Sequence, residues 1–81
     1  MLTQNTPGLR FRQVRAHLGW KQAEFAQGLS TNAKKVSRIE KDLQLPDSRL
    51  LIQLGEQFGI RTDWLLQGRG RMFEQKTPLV N

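Results

Sequence analysis

The sequence predicts an all-α fold, a compact bundle of five short helices. Three observations predict it. Apolar residues recur at helical spacing in successive segments. Strand-like alternation is missing from residues 9–68. The breaks between segments are a few residues long, so successive helices must pack near each other. The 81 residues suffice for one small domain. A chain of that size buries about 60–65% of its unfolded surface, which argues against an enzyme with a deep cleft.

The first helix spans about Leu9 to Leu18, with Phe11, Val14 and Leu18 on one face. Gly19 ends it, since glycine tolerates the left-handed conformation at a helix C-terminus. The second runs from about Lys21 to Gln27, with Phe25, Ala26 and Leu29 giving an apolar side. The third covers about Asn32 to Lys41, and the Asn32 side chain suits the N-cap. Pro46 closes a loop, after which Asp47 or Ser48 caps a fourth helix carrying Leu50, Leu51, Leu54 and Phe58. Gly59 stops it. The last, "TDWLLQG", has Thr62 as its expected cap and Gly68 as its end. Residues 1–7 read as a flexible N-terminus, 8–68 as the domain and 69–81 as a tail.

The formal net charge is +6. Residues 1–46 hold eight Lys and Arg against three acids, and residues 47–81 hold five against four. The excess is therefore local and predicts a basic face suited to a polyanion, nucleic acid before anionic membrane. No cysteine is present, so disulfides and thiolate metal sites are excluded. The longest apolar run, Leu50-Leu51-Ile52, is far short of the roughly 20 residues of a membrane span. The start "MLTQNTPG" lacks the basic and apolar regions of a signal peptide. These features fit the cytoplasm. His17 is the single histidine, no serine sits in a nucleophile setting, and "QGRGR" lacks the strand and Lys-Ser/Thr end of a phosphate loop. Neither enzyme activity nor a metal or cofactor is expected.

The third helix carries the function. With Lys34 set at 0°, Arg38 falls at about 40°, Lys41 at about 340°, Ser37 at about 300° and Lys35 at about 100°. Val36, at about 200°, and Ile39, at about 140°, point the other way. One face is basic and hydrogen-bonding, and the other is apolar. Solvated helix faces usually mix charge signs, whereas this one holds no acid. Glu40, at about 240°, lies near the apolar side, where a carboxylate is costly unless paired. Arg15, at the edge of the first helix's apolar face, is the expected partner, in a bidentate pair.

Three stretches, "LRFRQVRAHLGWKQAEFAQGLS", "KKVSRIEKDLQLP" and "LLIQLGEQFGIRTDWLLQG", together resemble the helix-turn-helix domain of phage repressors and Cro proteins, the XRE-type, lambda-repressor-like family. The resemblance covers about three-quarters of the chain. It implies a transcriptional regulator, a repressor, that binds double-stranded DNA as a homodimer with residues 32–41 in the major groove. Ala33, Lys34, Lys35 and Arg38 match positions that reach bases. Gln22, Asn32, Ser37, Lys41 and Gln44 are the expected backbone contacts. Arg15 and Glu40 match a structural ion pair of the family. The family usually leads the turn between helices two and three with glycine or another small residue, followed by an apolar one. Ser30 and Thr31 hold those places here, and Gly28 lies two residues earlier, which leaves the end of helix two open.

Trp64, Leu65 and Leu66 are consecutive and cannot all face one core, which makes them the expected dimer interface. The tail residues Met72, Phe73, Leu79 and Val80 suit a short strand or a hook across the dimer. The alternative reading is an antitoxin, binding a toxin protein through that tail and its own promoter through the domain. RNA binding lacks the exposed aromatic platform that stacking needs.

Overall fold

A computed structural model describes residues 5–74. Five helices follow one another: α1 Pro7–Leu18, α2 Gln22–Gly28, α3 Ala33–Glu40, α4 Ser48–Phe58 and α5 Thr62–Gln67. Helix α3 packs against both α1 and α2, and α5 packs against α1. No strand forms among the described residues, and a single antiparallel bridge joins Ile60 to Phe73.

The core is built from the apolar positions of every helix. Phe11 and Val14 meet Phe25, Ala26 and Leu29, then Val36 and Ile39, then Leu50, Leu54, Ile60 and Leu65. An aromatic cluster closes one side. Phe25 lies 5.0 Å from Phe11 and 6.4 Å from both Trp20 and Phe58, and Trp20 meets Phe58 edge-on at 5.8 Å. Such pairs contribute about 0.5–1.5 kcal/mol beyond the area they bury.

Several boundaries differ from the sequence reading. Helix α1 begins at Pro7, because Thr6 accepts the Leu9 amide and proline is preorganised for the first helical position. Residues 5–7 thus belong to the helix start. Asp47 caps α4 by accepting from the Leu50 amide. Thr62 does not cap α5: it is already helical, and Arg61 takes the cap position without a side-chain bond. Its neighbour Asp63 is instead held by the Arg61 guanidinium through two bonds of 3.0 and 2.7 Å.

The start of the tail folds back onto its own domain. The Arg61 amide donates to the Met72 carbonyl at 2.9 Å, and the Glu74 amide donates to the Gly59 carbonyl at 2.7 Å. Met72 and Phe73 rest on the core, and His17, exposed on α1, lies 5.1 Å from the Phe73 ring. Leu79 and Val80 lie outside the described residues.

The turn between α2 and α3 resolves the question left by "GLST". Helix α2 runs through Gly28 in helical geometry. Ser30 carries the left-handed conformation, with φ of 56°. Gly28 serves a different purpose: a Cβ there would come within 3.1 Å of the Trp20 ring. A left-handed non-glycine residue costs about 1–2 kcal/mol, partly offset by its smaller unfolded-state entropy. Ser30→Gly is therefore expected to raise stability by about 0.5–1 kcal/mol, read as a higher urea midpoint at unchanged slope. A lower midpoint would show that the Ser30 hydroxyl contributes more than its backbone costs.

Candidate nucleic-acid interface

Helix α3 is anchored from behind by Val36 and Ile39, both 0% exposed. Each contributes about 1.5–3 kcal/mol by burial. Asn32 caps its N-terminus by accepting from the Lys35 amide at 2.9 Å. The opposite face is open: Ala33, Lys34, Arg38 and Lys41 are exposed and Ser37 is half-buried.

Arg15, Gln22 and Glu40 hold α3 against α1 and α2. Arg15 Nε and Nη2 donate to the two Glu40 oxygens at 2.6 and 3.1 Å. Arg15 Nη1 donates to the Trp20 carbonyl at 3.0 Å, which fixes the α1–α2 turn. Gln22 Nε2 donates to Glu40 Oε1 at 3.0 Å. The hydrogen bond to Glu40 raises the Arg15 pKa further above its usual value. The half-buried Gln22 keeps its amide oxygen and one N–H for an outside partner.

The other end of α3 is set by Asp42, left-handed at φ of 62°. Its carboxylate accepts from the Thr6 hydroxyl at 2.6 Å and the Gly8 amide at 2.9 Å. Gly8 has no room for a side chain, since a Cβ would fall 2.5 Å from the Ile39 carbonyl oxygen. The α1 N-terminus thus abuts the last turn of α3, and its positive dipole end faces the Asp42 charge.

Two of the cations expected to contact bases have side-chain partners within the chain. Lys35, half-buried, donates its ammonium to Asp47. The outer face of α3 itself holds no acid, and Asp47 reaches Lys35 from the loop before α4. Arg38 Nε donates to Gln44 Oε1 at 3.0 Å. Among the described residues Lys34 and Lys41 have neither an ion-pair nor a hydrogen-bond partner for their ammonium groups.

Leu65 is corrected as an interface residue, because it is 0% exposed in its own core. Trp64 is half-buried against that core, and Leu66 is half-buried on the outer side. Arg10 escaped sequence reasoning. It is 4% exposed and donates to the carbonyls of Leu65 at 2.8 Å, Leu66 at 3.2 Å and Asn5 at 2.9 Å. It therefore caps the C-terminal end of α5, where a cation also meets the negative end of the helix dipole. No local pattern distinguishes it from Arg12, two residues away and exposed.

Two short helices joined by a tight turn, the second pinned from behind and open in front, define a helix-turn-helix. The chain belongs to the helix-turn-helix domain family, whose model matches residues 8–71. It is 30% identical over 74 residues to the HTH-type transcriptional regulator ImmR of Bacillus subtilis (strain 168), covering 91% of this chain. The chain spans 58% of the length of that relative. The fold matches the P22 c2 repressor protein, solved in complex with synthetic operator 9T, with a TM-score of 0.72 and 27% identity. That match covers 82% of this chain and 98% of the repressor chain.

Glu40→Ala is expected to lower the free energy of unfolding by about 2–4 kcal/mol, less than for a fully dry pair because Arg15 keeps some contact with water. A urea titration measures it, and a change under about 0.5 kcal/mol would show the pair to be energetically idle. Asp47 titrates in a defined direction. The Lys35 hydrogen bond, then the Leu50 amide, lower its pKa below the usual value. The tether it forms is complete above the unfolded value of about 3.9 and is lost as pH falls through the lower folded value. A carboxyl NMR titration of Asp47 should show a midpoint below the usual aspartate value of about 3.9, and an equal or higher midpoint would remove the tether.

Proposed function

We propose that this chain is a sequence-specific, double-stranded DNA-binding transcriptional regulator, a repressor, that inserts α3 into the major groove as a homodimer. The observation that carries this reading is the open face of α3, where Ala33, Lys34 and Arg38 are exposed, Arg38 bonded only through Nε to Gln44 among the described residues, while Val36 and Ile39 fix the helix behind. An α-helix fits the major groove, and lysine or arginine recognises guanine O6 and N7 there. Ala33 suits a thymine methyl. Asn32, Gln22, Ser37 and Lys41 surround that face and suit phosphates, which set register without reading sequence. Lys35, the remaining base-contact candidate, keeps two ammonium N–H groups beyond its bond to Asp47. The operator complex of the P22 c2 repressor and the regulator ImmR support the same reading.

Two-fold pairing would set two copies of α3 about 34 Å apart, one turn of DNA. Trp64 and Leu66 remain the candidate apolar contacts. Ile52, 57% exposed on α4, is a further apolar candidate, and it shares an open groove with Thr62 and Asp63 at the start of α5. The antitoxin reading finds no support in the relatives named above.

Selection of duplexes from a random pool, followed by sequencing, gives the operator. On that duplex Arg38→Ala is expected to cost about 1–3 kcal/mol and to relax preference at one base pair. Lys41→Ala should lower affinity for all duplexes alike and shallow the salt slope by about one unit. Equal loss by Arg38→Ala on selected and random duplexes would show that Arg38 does not read bases.

A further inference from the structure

We infer that Gln44 is a specificity-determining residue that acts by positioning Arg38, and not as a contact to the DNA backbone. This rests on the reading of Arg38 as a base contact. The geometry points to it in three steps.

First, Arg38 is exposed and its long side chain has many rotamers in water. The Gln44 carbonyl oxygen removes much of that freedom by accepting from Nε at 3.0 Å. The four N–H groups on Nη1 and Nη2 have no partner among the described residues, and they form the end of the fork that matches guanine O6 and N7. Gln44 thus occupies the part of the guanidinium that a base does not need.

Second, Gln44 is itself held in place by the loop. The Leu43 amide donates to the Arg38 carbonyl at 2.9 Å, and the Asp42 amide donates to the Ile39 carbonyl at 3.0 Å. Asp42 adopts its left-handed conformation while its carboxylate is tied to Thr6 and Gly8. The chain therefore reverses over the end of α3 on a fixed path and returns Gln44 to the side of Arg38, six residues earlier. Gln44 is half-buried, while its neighbours Leu43 and Leu45 are 59% and 61% exposed.

Third, the bond shapes binding without adding charge. A neutral acceptor leaves the cation at full strength for the groove. An arginine ordered before contact loses less entropy on binding, and the gain falls only on duplexes that offer the matching base.

The test compares wild type, Arg38→Ala, Gln44→Ala, Gln44→Glu and the double Ala variant. Each is titrated against the duplex enriched from a random pool and against that duplex changed at each base pair in turn. Gln44→Ala should lose about three- to tenfold of the preference at the base pair that Arg38→Ala relaxes, and at no other. The double variant should be no less selective there than Arg38→Ala alone. Gln44→Glu keeps an acceptor for Nε and should retain the preference while binding every duplex more weakly. Melting temperatures should stay close to wild type, because the bond lies on the surface. If Gln44→Ala weakens all duplexes equally and keeps the preference, Gln44 is a backbone contact and the inference falls while Arg38 still reads a base. If Arg38→Ala relaxes no base pair, the reading of Arg38 falls and takes the inference with it.

Discussion

Glu40 is the carboxylate on which the presentation of α3 depends. It ties three helices together, accepting from Arg15 of α1 and Gln22 of α2 while sitting in the last turn of α3. Hydrophobic contact alone fixes how deep α3 sits. Val36 and Ile39 are non-directional anchors and would tolerate rotation of the helix about its own axis. The bidentate fork of Arg15 does not tolerate it, because both N–H···O bonds must stay aligned. Rotation is the quantity that matters for a helix read from one side, since each residue step turns the face by about 100°. The cost of burying Glu40 is offset because no buried side-chain polar atom among the described residues lacks a partner.

The two ends of α3 show the same logic in the backbone. Among the described residues, the non-glycine positions with positive φ are Ser30 and Asp42, and they bracket the helix. Asp42 is compensated by its bonds to Thr6 and Gly8. Ser30 has no side-chain bond among the described residues, and the neighbouring Thr31 amide reaches the Ala26 carbonyl at 2.9 Å. Strain of this kind persists when the surroundings over-determine it. At Asp42 the surroundings are the start of α1, which contacts both the last turn of α3 and the loop that carries Gln44. The first residues of the domain thereby shape a surface more than thirty residues later in the chain.

Much of this was legible in the sequence, and the limits are physical. The five helices could be read because each carries an apolar face and a terminator, such as Gly19, Gly59 or Gly68. The nearness of Arg15 and Glu40 could be argued because a carboxylate at the edge of an apolar face needs a cation. Arg10 could not be placed, since its partners are backbone carbonyls of α5 that no side-chain pattern encodes. The partner of Lys35 could not be read for a related reason. Its acid, Asp47, lies twelve residues on, past a proline loop, where helical periodicity carries no information. Leu65 was assigned to a partner because three consecutive apolar residues were counted without knowing which one the core would take. The turn at Ser30 was open because serine there carries a conformation usually left to glycine.

These internal commitments also change the electrostatic argument. Eight cations stand in the first 46 residues, yet Arg10 is spent on α5, Arg15 on Glu40 and Lys35 on Asp47. On the outer face of α3 and its following residue, Lys34, Arg38 and Lys41 remain. Even if all three neutralised phosphates, the salt slope would be only about −2.7, too shallow for tight binding by charge alone. A single domain of this kind must draw discrimination from well-ordered base contacts, and a second copy would double the electrostatic term. Of these three cations, Arg38 is the one with a hydrogen-bond partner among the described residues, the neutral Gln44 side chain, which orders it before any contact.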